Sequence, residues 1–349
     1  MKFALFILAS WLEKDTSAQS RIYDEALEQV EFAEELGFDS VWVAEPHSSR
    51  YGIFPSLTPI LSYMAARTKK IRIGTGVSVL PFHNPIRLAE EAAMLDLLSH
   101  GRLEFGVGRG SADYEYGNFK VEFDSRDERT KEVLDIILGL WTTPEFSYNG
   151  KYHQIEKLTI APTTLQQPHP PVFLAVSRTP ASIDMAVDRD LPILTTFSTP
   201  EADNLALFDM YAERCAAAGK PHNLDRSPFF RFVHLAEDEK EAREYPRDAL
   251  TWCRDIGGYR RTITRGDEIN WDLDHWRRTR TVTPASFESE AETTTYFVTP
   301  DQCVQRIKNL QTNHRVGYFG ASMSFGSMGH AEVMRSMELF GKEVMPKFR

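Results

Sequence analysis

The chain has 349 residues, 50 acidic and 40 basic side chains, a net charge of −10 and 42% hydrophobic content. That hydrophobic share, spread along the sequence, excludes wholesale disorder, and the acidic balance without a basic block excludes nucleic acid or an anionic membrane as the main partner. No stretch reaches the roughly 18 apolar residues of a membrane span. Cys215, Cys253 and Cys303 lie far apart with no C-x-x-C, so no disulfide framework or cysteine zinc site is expected, and the chain reads as cytoplasmic.

The opening apolar run could pass for a short signal peptide, but Glu13, Lys14 and Asp15 follow at once and no A-x-A site appears. It reads as a first buried strand. Residues 24–37 follow as an amphipathic helix, with Ala26, Val30, Ala33 and Leu36 on one face and Gly37 as its stop. Residues 40–44 form a short apolar strand, and the alternation continues. Helices are predicted at 58–67, 86–99, 126–141, 181–188, 201–218, 301–311 and 330–344. Strands are predicted at 71–80, 103–107, 172–176, 192–196, 229–236 and 317–324. Eight apolar strands, each followed by a helix, point to a parallel sheet covered on both faces and closed as a (β/α)8 TIM barrel. A doubly wound open sheet is the rival. The chain is expected to be one domain, residues 1–349.

Two stretches break the rhythm. Residues 144–167 carry Tyr148-Asn149-Gly150-Lys151-Tyr152, an Asn-Gly hairpin signal. Residues 245–297 follow the seventh strand, on the side where barrels keep their active sites. So long an insertion reads as a lid, a binding loop or a subunit contact.

Strand ends on the C-terminal side are therefore the places to look for chemistry. After the second strand stands Glu45-Pro46-His47-Ser48-Ser49-Arg50-Tyr51. A carboxylate, an imidazole and a phenol this close can polarise a ring or move protons, or simply form a hydrogen-bonded polar loop. After the fourth strand, Gly106-Val107-Gly108-Arg109-Gly110 precedes Tyr114; alternate glycines admit close backbone approach and Arg109 offers a planar fork for phosphate. The third glycine of a dinucleotide fingerprint is missing. After the fifth strand, Ser177-Arg178-Thr179-Pro180 runs into a helix, a pattern that suits a phosphate seat and ordinary N-capping equally. Gly74-Thr75-Gly76 before Val77 would leave room for a flat ring system, and Phe6 sits near enough a strand end to reach it. The histidines show no metal spacing, and no G-x-S-x-G elbow occurs.

With these residues in place, the chain resembles the bacterial luciferase-like, flavin-dependent monooxygenases. The matching stations are the Glu-x-His loop, Gly74-Thr75-Gly76 with Val79-Leu80-Pro81, and His83-Asn84-Pro85-Ile86-Arg87. Further ones are Asp96-Leu97-Leu98-Ser99-His100-Gly101-Arg102, Gly108-Arg109-Gly110, and Val333-Met334-Arg335-Ser336. The resemblance implies a barrel that binds flavin mononucleotide (FMN), used in its reduced form FMNH2, at its C-terminal mouth. Arg109 and Ser177, with Thr179 assisting, would hold the phosphate. The Gly76-Val77 peptide, in this family often an unusual cis bond, would back the isoalloxazine near Phe6. Glu45 and His47 would be the catalytic pair, and Tyr51 and Tyr114 would face the substrate.

Reduced flavin and O2 would give a C4a-hydroperoxyflavin that oxygenates a small organic substrate, with a separate flavin reductase as electron donor. A lid from residues 245–297 would keep water out. A homodimer paired through barrel helices is the family's usual assembly. One departure stands out: many members carry Glu-His-His where this chain has Glu45-Pro46-His47, and Pro46 cannot move a proton. Two other readings share the same phosphate residues. One is F420-dependent hydride transfer; the other is a non-catalytic flavin-binding relative.

Overall fold

The computed structural model describes residues 1–12, 16–176, 180–264, 271–281 and 285–349. The strands in chain order are β1 (Lys2–Ile7), β2 (Ser40–Val43), β3 (Arg72–Thr75), β4 (Ser78–Val79) and β5 (Leu103–Gly108). They continue with β6 (Phe146–Asn149), β7 (Gln154–Leu158), β8 (Val172–Ala175), β9 (Ile193–Leu194), β10 (Pro228–Leu235), β11 (Thr295–Val298) and β12 (Tyr318–Ser324). Every ladder of the main sheet is parallel, in the order β11-β10-β12-β1-β2-β3-β5-β8-β9, with β4 also on β5. The sheet curls so that β9 and β10 approach one another. Their seam carries no ladder among the described residues, but Ile193 N–H donates to Ser227 Oγ at 3.0 Å. The expected ring of eight is therefore a curled parallel sheet with one unzipped seam. The hairpin signal is realised as the separate antiparallel pair β6–β7.

β1 shows how the core is divided. Phe3, Leu5 and Ile7 pack outward against the helices, whereas Ala4, Phe6 and the following Leu8 join an interior cluster with Trp42, Phe173, Phe230 and Phe232. This is the two-residue alternation of a strand buried on both faces. Trp42 is fully buried and lies 5.0 Å, ring to ring, from Phe173; its indole N–H donates to Ser40 Oγ at 2.8 Å.

The predicted strand at 71–80 is interrupted where Gly76-Val77 is a cis peptide, leaving β3 and β4 as two short pieces. The surrounding glycines serve packing between strands. A Cβ at Gly74 would lie 2.4 Å from the Trp42 ring, one at Gly106 2.1 Å from Thr75 O, and one at Gly108 2.8 Å from Val77. The space read from Gly74 is thus taken by Trp42. We expect Gly74→Ala to lower stability by about 1–3 kcal/mol through overpacking. Urea unfolding checks it; an unchanged midpoint would contradict this packing role.

Residues 245–297 hold more structure than sequence patterning suggested: helices Arg247–Thr262, Leu273–Thr279 and Phe287–Thr293, then β11 on the edge of β10. The short helix Asp113–Asn118 was likewise unforeseen. Among the described residues, no helix is long and apolar enough to cross a membrane. The three cysteines are free and buried.

Candidate functional site

The C-terminal ends of the strands enclose a cavity of about 390 Å³. Phe6 of β1 and Leu8 just after it, Ala44 after β2, Gly76 and Val77 between β3 and β4, and Phe230 and Phe232 of β10 give it mostly apolar walls. Thr195, Thr196 and Ser198 add hydroxyls beyond β9, and Ser111 and Ala112 lie beyond β5. The helix Arg247–Thr262 crosses the mouth. Its Leu250, Cys253, Arg254, Gly257, Arg260 and Arg261 line the cavity, with Tyr51 opposite. This helix is strongly amphipathic, and its apolar Ala249, Leu250, Cys253 and Ile256 are buried. That pattern docks it onto the strand ends.

Of the residues predicted from sequence, Phe6, Gly76, Val77 and Tyr51 meet at this cavity. Arg109 does not line it: its guanidinium donates to both carboxylate oxygens of Asp127, at 2.7 and 3.0 Å. The cavity wall nonetheless includes Ser111, two residues further on, and Val176, the residue before Ser177. Ser177 and Thr179 themselves lie outside the described residues.

Glu45, His47 and Tyr114 are not among the residues that line this cavity. Glu45 is 7% and His47 8% exposed, and both belong to a packed cluster beside the wall. Glu45 Oε1 accepts from His47 Nε2 at 2.9 Å and from His83 Nε2 at 2.7 Å, while Oε2 accepts from Val79 N–H at 3.3 Å. Burial alone would raise the Glu45 pKa, but the two imidazole donors carry it below the usual carboxylate range. Burial opposes protonation of His83, yet its bond to Glu45 raises it overall. An ionised carboxylate only accepts, so both Nε2 atoms carry protons. The His47 ring packs edge-on against Phe82 and Phe119, with centroids 5.6 and 4.6 Å away. Pro46 separates Glu45 from His47 without displacing either from this cluster.

Tyr114 is 2% exposed and binds protein rather than the cavity: its hydroxyl donates toward His47 O at 3.2 Å and accepts from Arg260 Nε at 3.1 Å. Burial raises its phenol to about 12. Glu115, 3% exposed, is the hub. Its Oε1 accepts from Arg260 at 2.7 Å and from His47 N–H at 3.2 Å. Arg260 also lies over the Tyr51 ring at 4.9 Å. The helix over the mouth is thereby tied to the loops after β2 and β5. Sequence reading missed Arg260 and Glu115 and gave His83 no place in the site, because pairs 38 to 145 residues apart leave no local pattern.

The family profile described as "Luciferase-like monooxygenase" matches residues 1–314. The flavin-dependent trigonelline monooxygenase, oxygenase component, of Acinetobacter baylyi is 29% identical over 364 residues, covering 100% of this chain and 96% of that protein. The crystal structure of monooxygenase RslO1 from Streptomyces bottropensis superimposes with a TM-score of 0.85 at 26% identity, covering 100% of both chains. The oxygenating constituent of 3,6-diketocamphane monooxygenase from Pseudomonas putida, in complex with FMN, has a TM-score of 0.81 at 20% identity over 100% of this chain and 99% of that one, a likeness of fold.

Proposed function

The chain belongs to the luciferase-like monooxygenase family, and on that premise we propose that it is the oxygenase component of a two-component system, using FMNH2 from a separate reductase and O2 to oxygenate a small organic substrate. The observation that carries this reading is the apolar cavity at the strand C-termini, bounded by Gly76-Val77 on one side and by residues flanking the expected phosphate grips on another. Its volume falls within the range of about 300–1,000 Å³ usual for small-ligand sites. Thr195, Thr196 and Ser198 also line the cavity and give its wall a polar edge.

In this proposal Phe6, Gly76 and Val77 border the ring system, and Arg109, Ser177 and Thr179 receive the phosphate, Arg109 exchanging Asp127 for it. When bound, the flavin supplies the oxygen-activating chemistry. The chain's own part is to orient the guest between aromatic walls and to exclude water with the helix Arg247–Thr262, which gives residues 245–297 the role of a lid. Glu45 and His47 act as positioning residues: they fix the loop that presents Ala44 and Tyr51 to the cavity. Pairing of two copies completes the proposal, supported by Tyr63, Met94 and Leu98, exposed by 52, 43 and 53% on the neighbouring helices Leu57–Arg67 and Pro85–Leu98. Light scattering should return twice the mass of one chain.

Rapid mixing of the protein and photoreduced FMN with aerated buffer tests the activity. The expected result is flavin reoxidation with kinetics altered from those of free FMNH2, and oxygenated product from a substrate panel without NADH. Reoxidation identical to free flavin, or turnover with F420 alone, would overturn it. Arg109→Ala should weaken FMN binding by about 1.5–3 kcal/mol through loss of a charge-assisted pair. Fluorescence quenching measures this; unchanged affinity would remove Arg109 from the phosphate site.

A further inference from the structure

We propose that the cavity's substrate is an organic acid, and that Arg254 is the residue that receives its carboxylate, a deepening that rests on the oxygenase reading above. On the helix Arg247–Thr262, Arg254, Gly257 and Arg261 follow at three- and four-residue steps and so share one face. All three line the cavity. A Cβ at Gly257 would meet nothing within 4 Å, so this glycine leaves a notch beside the arginine.

The third cavity arginine, Arg260, is neutralised by Glu115 at 2.7 Å. Arg254 is not balanced in this way. One of its terminal nitrogens donates to Ala285 O at 2.7 Å, but its Nε is buried with no hydrogen-bond acceptor. Asp255 comes only within 3.6 Å of that Nε and is already engaged by Arg277 at 2.7 Å and Arg280 at 3.0 Å. The carboxyl in the cavity wall, Glu290, has its pKa raised by burial and by Asp255, although Arg254 and Arg261 pull the other way. The guanidinium edge that Arg254 presents to the cavity is thus only loosely paired, and a carboxylate presenting two oxygens is the group that meets it with matched charge. The remaining walls, Phe197, Phe230 and Phe232, are aromatic and suit a planar apolar body. The flavin phosphate is assigned elsewhere, to the loops after β5 and β8, so Arg254 is free for a second anion.

The test compares acids with their uncharged isosteres on the FMN-loaded protein. Benzoate, nicotinate and phenylacetate are titrated against benzamide, nicotinamide and phenylacetamide by flavin difference spectra, with wild type, Arg254→Gln and Arg254→Lys. We expect at least one acid to bind about 10-fold or more tightly than its amide. That preference should vanish in Arg254→Gln and partly persist in Arg254→Lys, with FMN affinity within about twofold of wild type. No acid-over-amide preference in any pair, including no binding by any acid, overturns the proposal. So does an Arg254→Gln protein that loses FMN while keeping the preference, since Arg254 would then serve the flavin. Free-flavin reoxidation kinetics, measured separately, report whether the underlying oxygenase reading fails instead.

Discussion

Arg260→Ala should destabilise the protein by about 3–5 kcal/mol, the usual cost of leaving one member of a buried ion pair without its partner. The guanidinium side chain is 17% and the Glu115 side chain 3% exposed, so water does little to relieve the orphaned carboxylate. Among the described residues Glu115 would keep His47 N–H, at 3.2 Å, and at most a share of the Tyr114 hydroxyl proton, which lies 3.2 Å from both Glu115 and His47 O. Much of the penalty is the stranded charge, which gives a sharp check. Adding Glu115→Gln to Arg260→Ala should restore part of the loss, so urea unfolding of the two singles and the double must be non-additive. A second consequence concerns catalysis. Arg260 ties the helix over the mouth to Tyr51, Tyr114 and, through Glu115, to His47. If that helix excludes water, the variant should divert more reduced flavin to hydrogen peroxide per oxygen consumed. Additive unfolding energies, or unchanged peroxide yield, would refute the two halves of the argument separately.

Much of the fold was legible because it is written in local patterns. Short apolar strands alternating with amphipathic helices announced the parallel sheet, and β1 divides its side chains between two cores as a strand buried on both faces must. Several stations of the family resemblance turn out to be structural. Asn84 caps the helix Pro85–Leu98 by accepting from Ile86 and Arg87 N–H. Asp96 anchors Leu165 and Gln166, and Arg102 donates to Ala65 O and Ile71 O. What stayed hidden depends on distance in sequence. Gly74 looked like space for a ligand and is space for Trp42, which only the strand register reveals. Residues 245–297 contain one long and two short helices rich in arginine and aspartate, and the value of Arg260 comes from Glu115, on the distant helix Asp113–Asn118. The Glu-x-His motif was visible, but its third member, His83, arrives from beyond β4.

That three-residue cluster carries the second large effect. Glu45→Gln should cost about 3–5 kcal/mol where the carboxylate and an imidazolium face one another, because a buried charged pair loses one partner. The pH dependence follows from two opposite shifts. Glu45 is depressed in the folded state, so its contribution is complete above the ordinary glutamate value of about 4.3 and is lost as pH falls through the lowered value. His83 is raised, so its contribution is complete below about 6.5 and is lost as pH rises through its elevated value. The wild-type advantage over Glu45→Gln should therefore peak between about pH 4.5 and 6.5 and shrink on both sides. Denaturant midpoints of the two proteins across pH 3–9 would trace it. A flat difference would mean that Glu45 holds the loop through neutral hydrogen bonds alone, whereas a peaked one makes the motif a charged clasp that sets where Ala44 and Tyr51 meet the cavity.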